Sequence, residues 1–468
     1  MFQASDYLGL LRQLDQFFAG AANLKPVAQR LDPAELRERL DLDLPEDGKP
    51  LAQLESDVAD YLTYAVKTAH PAYFNQLWGG FSAPCFMGEM LTSATNTSMY
   101  TYEVAPVATL IENTLIAKLG QLAGLSHPEG QFTAGGSSGN LMAMAIARHW
   151  ASPALKQDGM TASPKLVAFV SEEAHYSFVK AAQLLGLGAA QLRKVPVDED
   201  GKMAVSALSA LIVDAQAQGD RPFFVAGTAG TTVRGAYDPF PEMAAIARRE
   251  GLWFHVDGAW GAGVLLSPSH RHLMQGVDQA DSLVWDAHKM MGMTLMCSVL
   301  LVRQRGAMLD AFSAHGTDYL FHADDDEPLD LGLSTPYCGR RADALKLWLA
   351  WKHLGDRGWA ALIDRYFSLA AYAEAIIDAH AALELVTPRH SLNLCFQYRG
   401  LNRSADELTR AVRQVLWEEG LAMVNYAQVK GRLVFRLVIC NSQTQPRDIE
   451  AFFEHLVAIA QCLDQEAA

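Results

Sequence analysis

The chain has 468 residues, half of them hydrophobic and 19% charged, more than one hydrophobic core usually holds and too apolar for disorder. Its 38 Lys and Arg face 53 Asp and Glu, a net charge of −15 with no basic patch, which excludes a nucleic-acid or anionic-membrane partner. Six scattered cysteines form no CxxC pair and have no metal-ligand spacing with histidine, so no metal is expected, and free thiols in the cytoplasm are the reading.

The opening MFQASDYLGLLRQLDQFF has acids among its apolar residues and no basic start, unlike a signal peptide. No apolar run approaches the roughly 20 residues that span a bilayer. Residues 1–64 read as helices and loops, with Asp32 as an N-cap and Pro33 in the first turn, and their apolar faces call for a partner subunit. Across residues 65–339, short β-rich runs (KLVAFV, PFFVAGT, LWFHVD, SLVWD, CSVLLV) alternate with helical stretches such as LMAMAIARHW. This alternation predicts an α/β domain with a mostly parallel sheet covered on both faces. Residues 340–468 begin with long helical segments. Two strand-like runs follow, LNLCFQY and LVFRLVIC, each leading into a helix, which predicts a smaller α+β domain.

Ligands of an open parallel sheet bind beyond the carboxyl ends of its strands, so the residue each run delivers there matters most. FTAGGSSGN places Gly136 and Ser137 at a helix start that suits a phosphate, although such a motif alone is more often a turn and cap. KLVAFV leads to His175, PFFVAGT to Thr228, and LWFHVD to Asp257 with the small Ala259 behind it. SLVWD leads to His288 and Lys289. Pyridoxal 5′-phosphate (PLP) needs such a set: an amine for a Schiff base, an anion site, and an acid at the pyridine nitrogen. Lys289 supplies the amine, Asp257 suits the nitrogen, and His175 and Ala259 suit the two ring faces.

These residues and their surroundings resemble the fold-type I, group II PLP-dependent amino-acid decarboxylases, nearest to the glutamate and cysteine sulfinate decarboxylases. The resemblance runs through HPAYFNQLWGG, TNTSMYTYEVAPV, FTAGGSSGNLMAMAIAR, SEEAHYSFVKAAQLLGLG, VAGTAGTTVRGAYDPF, CGRRADALKLWLAW and VFRLVICN. Its most specific stretch is HVDGAWG…WDAHKMMG, which couples Asp257 to Lys289. It implies a seven-stranded-type sheet in the large domain and a homodimer with shared active sites. It assigns Lys289 to the Schiff base, Asp257 to the pyridine nitrogen, His175 to ring stacking, and Thr228 to the ring substituents. By the same resemblance Ala259 matches the residue beneath the ring, and Gly136, Ser137 and His288 match the positions that hold the phosphate. Gln76 matches a position beside the active site, and Arg436 matches the arginine that grips a substrate carboxylate in the acidic-substrate branch. Trp78 and Ser98 are similar to the cysteine sulfinate branch.

The resemblance therefore implies α-decarboxylation of a short acidic L-amino acid, aspartate or cysteine sulfinate ahead of glutamate. A decarboxylase of aromatic or basic amino acids, or a decarboxylating aldehyde synthase, is the alternative on the same scaffold. Two departures stand out. Asp286 replaces the family's Asn before the lysine, and an acid close to a phosphate must be protonated, turned away or paired. The loop HADDDEPLDLGLSTPY is short and acidic and offers only Tyr337, at its far end, where the family's loop tyrosine protonates Cα. Protonation is then inefficient, or falls to His175 or a partner-chain residue.

Other residues read as structure. His70, His127, His255, His270 and His272 form no i, i+4 metal pair, Met290, Met291 and Met293 pack around the lysine turn, and Cys338 has no matched base. Asp324–Glu327 lacks the spacing of a calcium loop. A structural ion pair is the alternative for Arg436.

Overall fold

The computed structural model describes residues 5–22, 26–160, 165–314, 316–317, 319–321 and 329–467, so the acidic run Asp324–Glu327 lies outside the described residues. Two compact units emerge, Met1–Phe81 together with Ser368–Ala468, and Ser82–Phe367.

In chain order the strands are β1 (Tyr73–Phe74), β2 (Glu129–Thr133), β3 (Leu166–Ser171), β4 (Leu192–Val195), β5 (Arg221–Thr228) and β6 (Trp253–Asp257). They continue with β7 (Ser282–Asp286), β8 (Ser298–Val302), β9 (Leu383–Leu385), β10 (Asn393–Tyr398), β11 (Met423–Val429) and β12 (Arg432–Val438).

The unit Ser82–Phe367 holds a seven-stranded sheet of order β2-β8-β7-β6-β5-β3-β4. Only β8 runs against its neighbours, so six strands point the same way. The runs predicted from apolar composition are β3, β5, β6, β7 and β8. All but the outer end of β5 are buried throughout, as a sheet covered on both faces requires. Helix Gly136–Ala151 supplies much of the cover. Its Met142, Ala143, Ile146 and Ala147 pack with Phe178, Phe224 and Val284 in one cluster.

The other unit carries the sheet β1-β11-β12-β10-β9, backed by helices Ala405–Glu418 and Pro446–Gln465. Among the described residues the N-terminal segment carries the α-helices Ser5–Ala22, Pro33–Arg39 and Leu54–Tyr64. The expected cap at Asp32 is present, its side chain accepting from Ala34 and Glu35 N–H.

The unit boundaries fall at 81/82 and 367/368, not at the expected 64/65 and 339/340. The first moves because β1 pairs with β11, and because Val27 N–H donates to the Gly420 carbonyl (3.0 Å). The second moves because the start of helix Ala344–Ala379 is tied into the larger unit by Lys346 to Glu89 and by Asp356 to Lys118.

Candidate active site

The sheet register delivers the predicted residues to one edge. Thr228 and Asp257 are cross-strand partners at the ends of β5 and β6. Asp286 ends β7 opposite Ser298, which in turn faces Thr133 at the end of β2. Lys289 sits in the turn after β7, its N–H donating to the Asp286 carbonyl (3.0 Å). Its Nζ lies 3.0 Å from Asp286 Oδ2, while Ser298 donates to Oδ1. Burial would raise the Asp286 carboxyl, but the charges of Lys289 and His288 and the Ser298 hydroxyl bring it below the ordinary carboxylate range. Of the three possibilities for this acid, the structure chooses pairing. His288 Nδ1 lies 3.0 Å from the Cys297 carbonyl oxygen and 3.1 Å from the Cys297 nitrogen, and Nε2 faces Asp286 Oδ2 at 3.6 Å. Burial holds the His288 pKa below its ordinary value against the pull of Asp286.

Asp257 is buried. Oδ1 accepts from Ala259 N–H (3.1 Å) and Oδ2 from Asn140 Nδ2 (2.8 Å). Both partners are neutral donors, and no ion pair to this carboxylate exists among the described residues. A buried anion of this kind is suited to an incoming cation. His175, in the turn after β3, accepts from Ser177 N–H at Nδ1 (3.3 Å). Burial lowers its pKa, with Asp257 opposing and Lys289 adding to the depression. Thr228 is fixed through its backbone: its N–H donates to Asp238 Oδ2 (2.7 Å), and its carbonyl accepts from Asp238 N–H (3.0 Å). Burial pushes the Asp238 carboxyl up to about 7.

Two observations test whether the PLP expected from the sequence fits. Thr228 Oγ1 is buried and has no hydrogen-bond partner among the described residues, so a polar ligand atom would satisfy it. Gly136 opens helix Gly136–Ala151 in close approach to the strand ends. A Cβ there would lie 2.7 Å from Asp286 Oδ2 and 3.1 Å from the Ala259 methyl. The lack of a side chain at Gly136 thus lets the helix start come close to the strand ends and the lysine turn, and a helix N-terminus suits an anion. With the amine of Lys289 and the anion of Asp257, the donor set fits the cofactor. Tyr337 reaches the same helix start, where its hydroxyl bonds Ser138.

The predicted substrate residues divide between the units. Arg436, on β12, is buried and donates through Nη2 to the Asn75 carbonyl (2.7 Å), just before Gln76. Burial lowers its pKa. Gln76 is exposed, and the half-buried Trp78 ring lies 5.7 Å from that of Tyr73. In the larger unit, Ser98 Oγ accepts from Arg340 N–H (3.2 Å), and the Arg340 guanidinium forks onto the buried Glu112 (2.8 Å to each oxygen). Ser98 is thus held in a structural corner of the fold.

Sequence reasoning passed over Asn140, His255, Ser282, Asp238 and Ser298. A signal existed for two of them. His255 precedes Asp257 by two residues and shares its face of the strand, and Asn140 lies one helical turn beyond Gly136. Among the described residues no group of three or more His, Cys, Asp or Glu could hold a metal, and none of the six cysteines is in a disulfide.

The family model described as the pyridoxal-dependent decarboxylase conserved domain matches residues 33–399. Cysteine sulfinic acid decarboxylase from Mus musculus is 39% identical over 458 residues, covering 95% of this chain and 93% of its own. Acidic amino acid decarboxylase GADL1 from Bos taurus is 35% identical over 438 residues, covering 91% and 84%. The crystal structure of mouse CSAD superposes with a TM-score of 0.94 at 35% identity, covering 98% of this chain and all of the other. Shared sequence along nearly the whole length, a matching fold, and a lysine and a buried acid at adjacent strand ends lead to one conclusion: this chain belongs to the pyridoxal-dependent decarboxylases.

Proposed function

We propose that this protein removes the α-carboxyl group of a short acidic L-amino acid as CO2, using PLP at the ends of β2, β5, β6 and β7. The observation that carries the reading is Asp257, a buried carboxylate held only by N–H donors, on the strand beside the one that leads to Lys289. When bound, PLP supplies the electron sink for the bond that breaks at the substrate's Cα. Lys289 would carry it covalently, and Asp257 would keep a proton on its ring nitrogen. The neutral His175 would lie on one ring face and Ala259 on the other. Gly136, Ser137 and His288 would hold the phosphate, and the free hydroxyl of Thr228 would meet a ring substituent.

The acidic substrate rests on the names of the two relatives and on Arg436, whose guanidinium suits a carboxylate or sulfinate. Trp78, just after the FNQ motif, would partly fill the space there and so favour aspartate or cysteine sulfinate over glutamate. One methylene is worth only about 1–3 kcal/mol, so the preference is modest. The protein acts as a homodimer in this reading. Met87, Met90 and Leu91 on one helix and Val107 and Leu110 on another leave apolar surface uncovered, as do Leu8 and Leu11 near the N-terminus. A cytoplasmic location accords with six cysteines outside any disulfide, and no helix among the described residues is long and apolar enough to cross a membrane. Comparing kcat/KM for aspartate, cysteine sulfinate, glutamate, tyrosine and diaminobutyrate tests the reading. An acidic substrate should lead and Arg436→Ala should collapse its lead. A basic or aromatic winner, or an unchanged ranking in the variant, refutes it.

A further inference from the structure

Behind Asp257 the sheet carries a line of hydrogen bonds that the steps above do not use. Trp253 Nε1 donates to Ser282 Oγ (2.9 Å), and Ser282 Oγ lies 2.8 Å from His255 Nδ1. His255 Nε2 lies 3.0 Å from Asn140 Oδ1, and Asn140 Nδ2 reaches both Asp257 Oδ2 (2.8 Å) and Ser177 Oγ (3.0 Å). Every member is buried.

The chemistry of the groups fixes the direction of each bond. A carboxylate only accepts, so Asn140 must turn its amide nitrogen toward Asp257 and its oxygen toward His255. That oxygen cannot donate, so His255 carries its proton on Nε2 and accepts at Nδ1. Ser282 then gives its hydroxyl proton to Nδ1 and receives the indole N–H. Every N–H and O–H dipole along the line points toward the Asp257 carboxylate. An amide stands next to it, so no member can hand it a proton. The imidazole stays neutral throughout the working range, because complete burial pushes its pKa down to about 3.

A core that needed only to pack would carry apolar residues here, since a buried polar line is costly unless every member is satisfied. This one is satisfied and ends on one acid. Its side branch ends on Ser177, whose backbone N–H holds His175. We propose that Asn140, His255 and Ser282 are positioning residues that orient the Asp257 carboxylate and stabilise its charge, and so set how firmly the cofactor's ring nitrogen is held protonated. The inference rests on the assignment of Asp257 to that nitrogen.

The test separates the two. The full-length protein, freed of cofactor, is titrated with PLP and with the analogue that carries C–H in place of the ring nitrogen. The ratio of the two affinities isolates the contact between Asp257 and that nitrogen. In Asn140→Ala the preference for PLP should fall roughly tenfold, as expected for one charge-assisted hydrogen bond. His255→Phe should lower it less, and Ser282→Ala least, about twofold for a bond two groups removed. The graded order keeps the test open even should Asn140→Ala not fold. Equal losses for both ligands, leaving the ratio as in the wild type, would mean a merely structural line and overturn the inference. A wild-type protein that does not prefer PLP over the analogue overturns the assignment of Asp257 itself, and the inference with it.

Discussion

Replacing Asp257 by Asn removes one charge and adds two amide protons in a place where only acceptors fit. Ala259 N–H and Asn140 Nδ2 both point at the carboxylate, at 3.1 and 2.8 Å. The new amide can offer its oxygen to one of them only, so its nitrogen faces a donor. The backbone donor cannot turn. Asn140 can, but its rotation sends its amide nitrogen toward His255 and forces the other histidine tautomer, leaving Ser282 with two incoming N–H groups. One buried donor without a partner destabilises the cofactor-free protein by about 1–3 kcal/mol. The activity loss is larger and separate. Without the anion the ring nitrogen gives up its proton more readily, and the lost transition-state stabilisation is about 3 kcal/mol. At about 1.4 kcal/mol per decade this is somewhat over a hundredfold in kcat. Released CO2 measures the rate, denaturant unfolding the stability, and spectral titration the retained affinity through Lys289. A variant within about threefold of wild-type kcat would refute the assignment.

Lys289→Ala should yield a colourless protein, whereas borohydride should fix the cofactor of the wild type to a peptide containing Lys289. A variant that decarboxylates at the normal rate would contradict this. Asp286→Asn breaks a buried pair whose lysine keeps some solvent contact, so the cofactor-free protein should lose about 2–3 kcal/mol near neutral pH. The folded carboxyl lies below its unfolded value of about 3.9, so its stabilisation is present above that pH. It fades as pH falls through the folded value, and the gap between wild type and variant should close toward acid; a gap that persists undiminished would count against the pairing. Tyr337→Phe removes the hydroxyl bonded to Ser138, so cofactor affinity should drop about fivefold, one neutral hydrogen bond, with the amine-to-aldehyde product ratio unchanged. A rise in aldehyde would place Tyr337 at the proton transfer instead.

Much of the larger unit was legible in order of residues alone. Runs such as LVAFVS and SLVWD are apolar without alternation because both of their faces are buried, and that pattern survives any tertiary detail. Lys289, Asp257 and Thr228 could be found because a polar residue at the end of such a run has few structural reasons to be there. Less apolar strands escaped. In β11 the burial alternates loosely, β4 is short and half-exposed, and β1 exists only because β11 lies beside it. The reversal of β8 is equally invisible locally, since an antiparallel strand inside a covered sheet reads like a parallel one.

Tertiary structure alone decided the partners. Asp286 could have been protonated, turned away or paired, and it is paired because the register of β7 and β8 sets Ser298 opposite it while the following turn returns Lys289. Asn140 and Asp257 are 117 residues apart, so no local pattern joins them. His255 read as an ordinary core histidine, and so it is by burial. Only the sheet and the helix across it reveal that its hydrogen bonds lead to the Asp257 carboxylate. Residue types and strand ends determine which chemistry a chain can offer; register and packing decide which groups touch, because hydrogen bonds and charges act over a few ångströms of space rather than along the sequence.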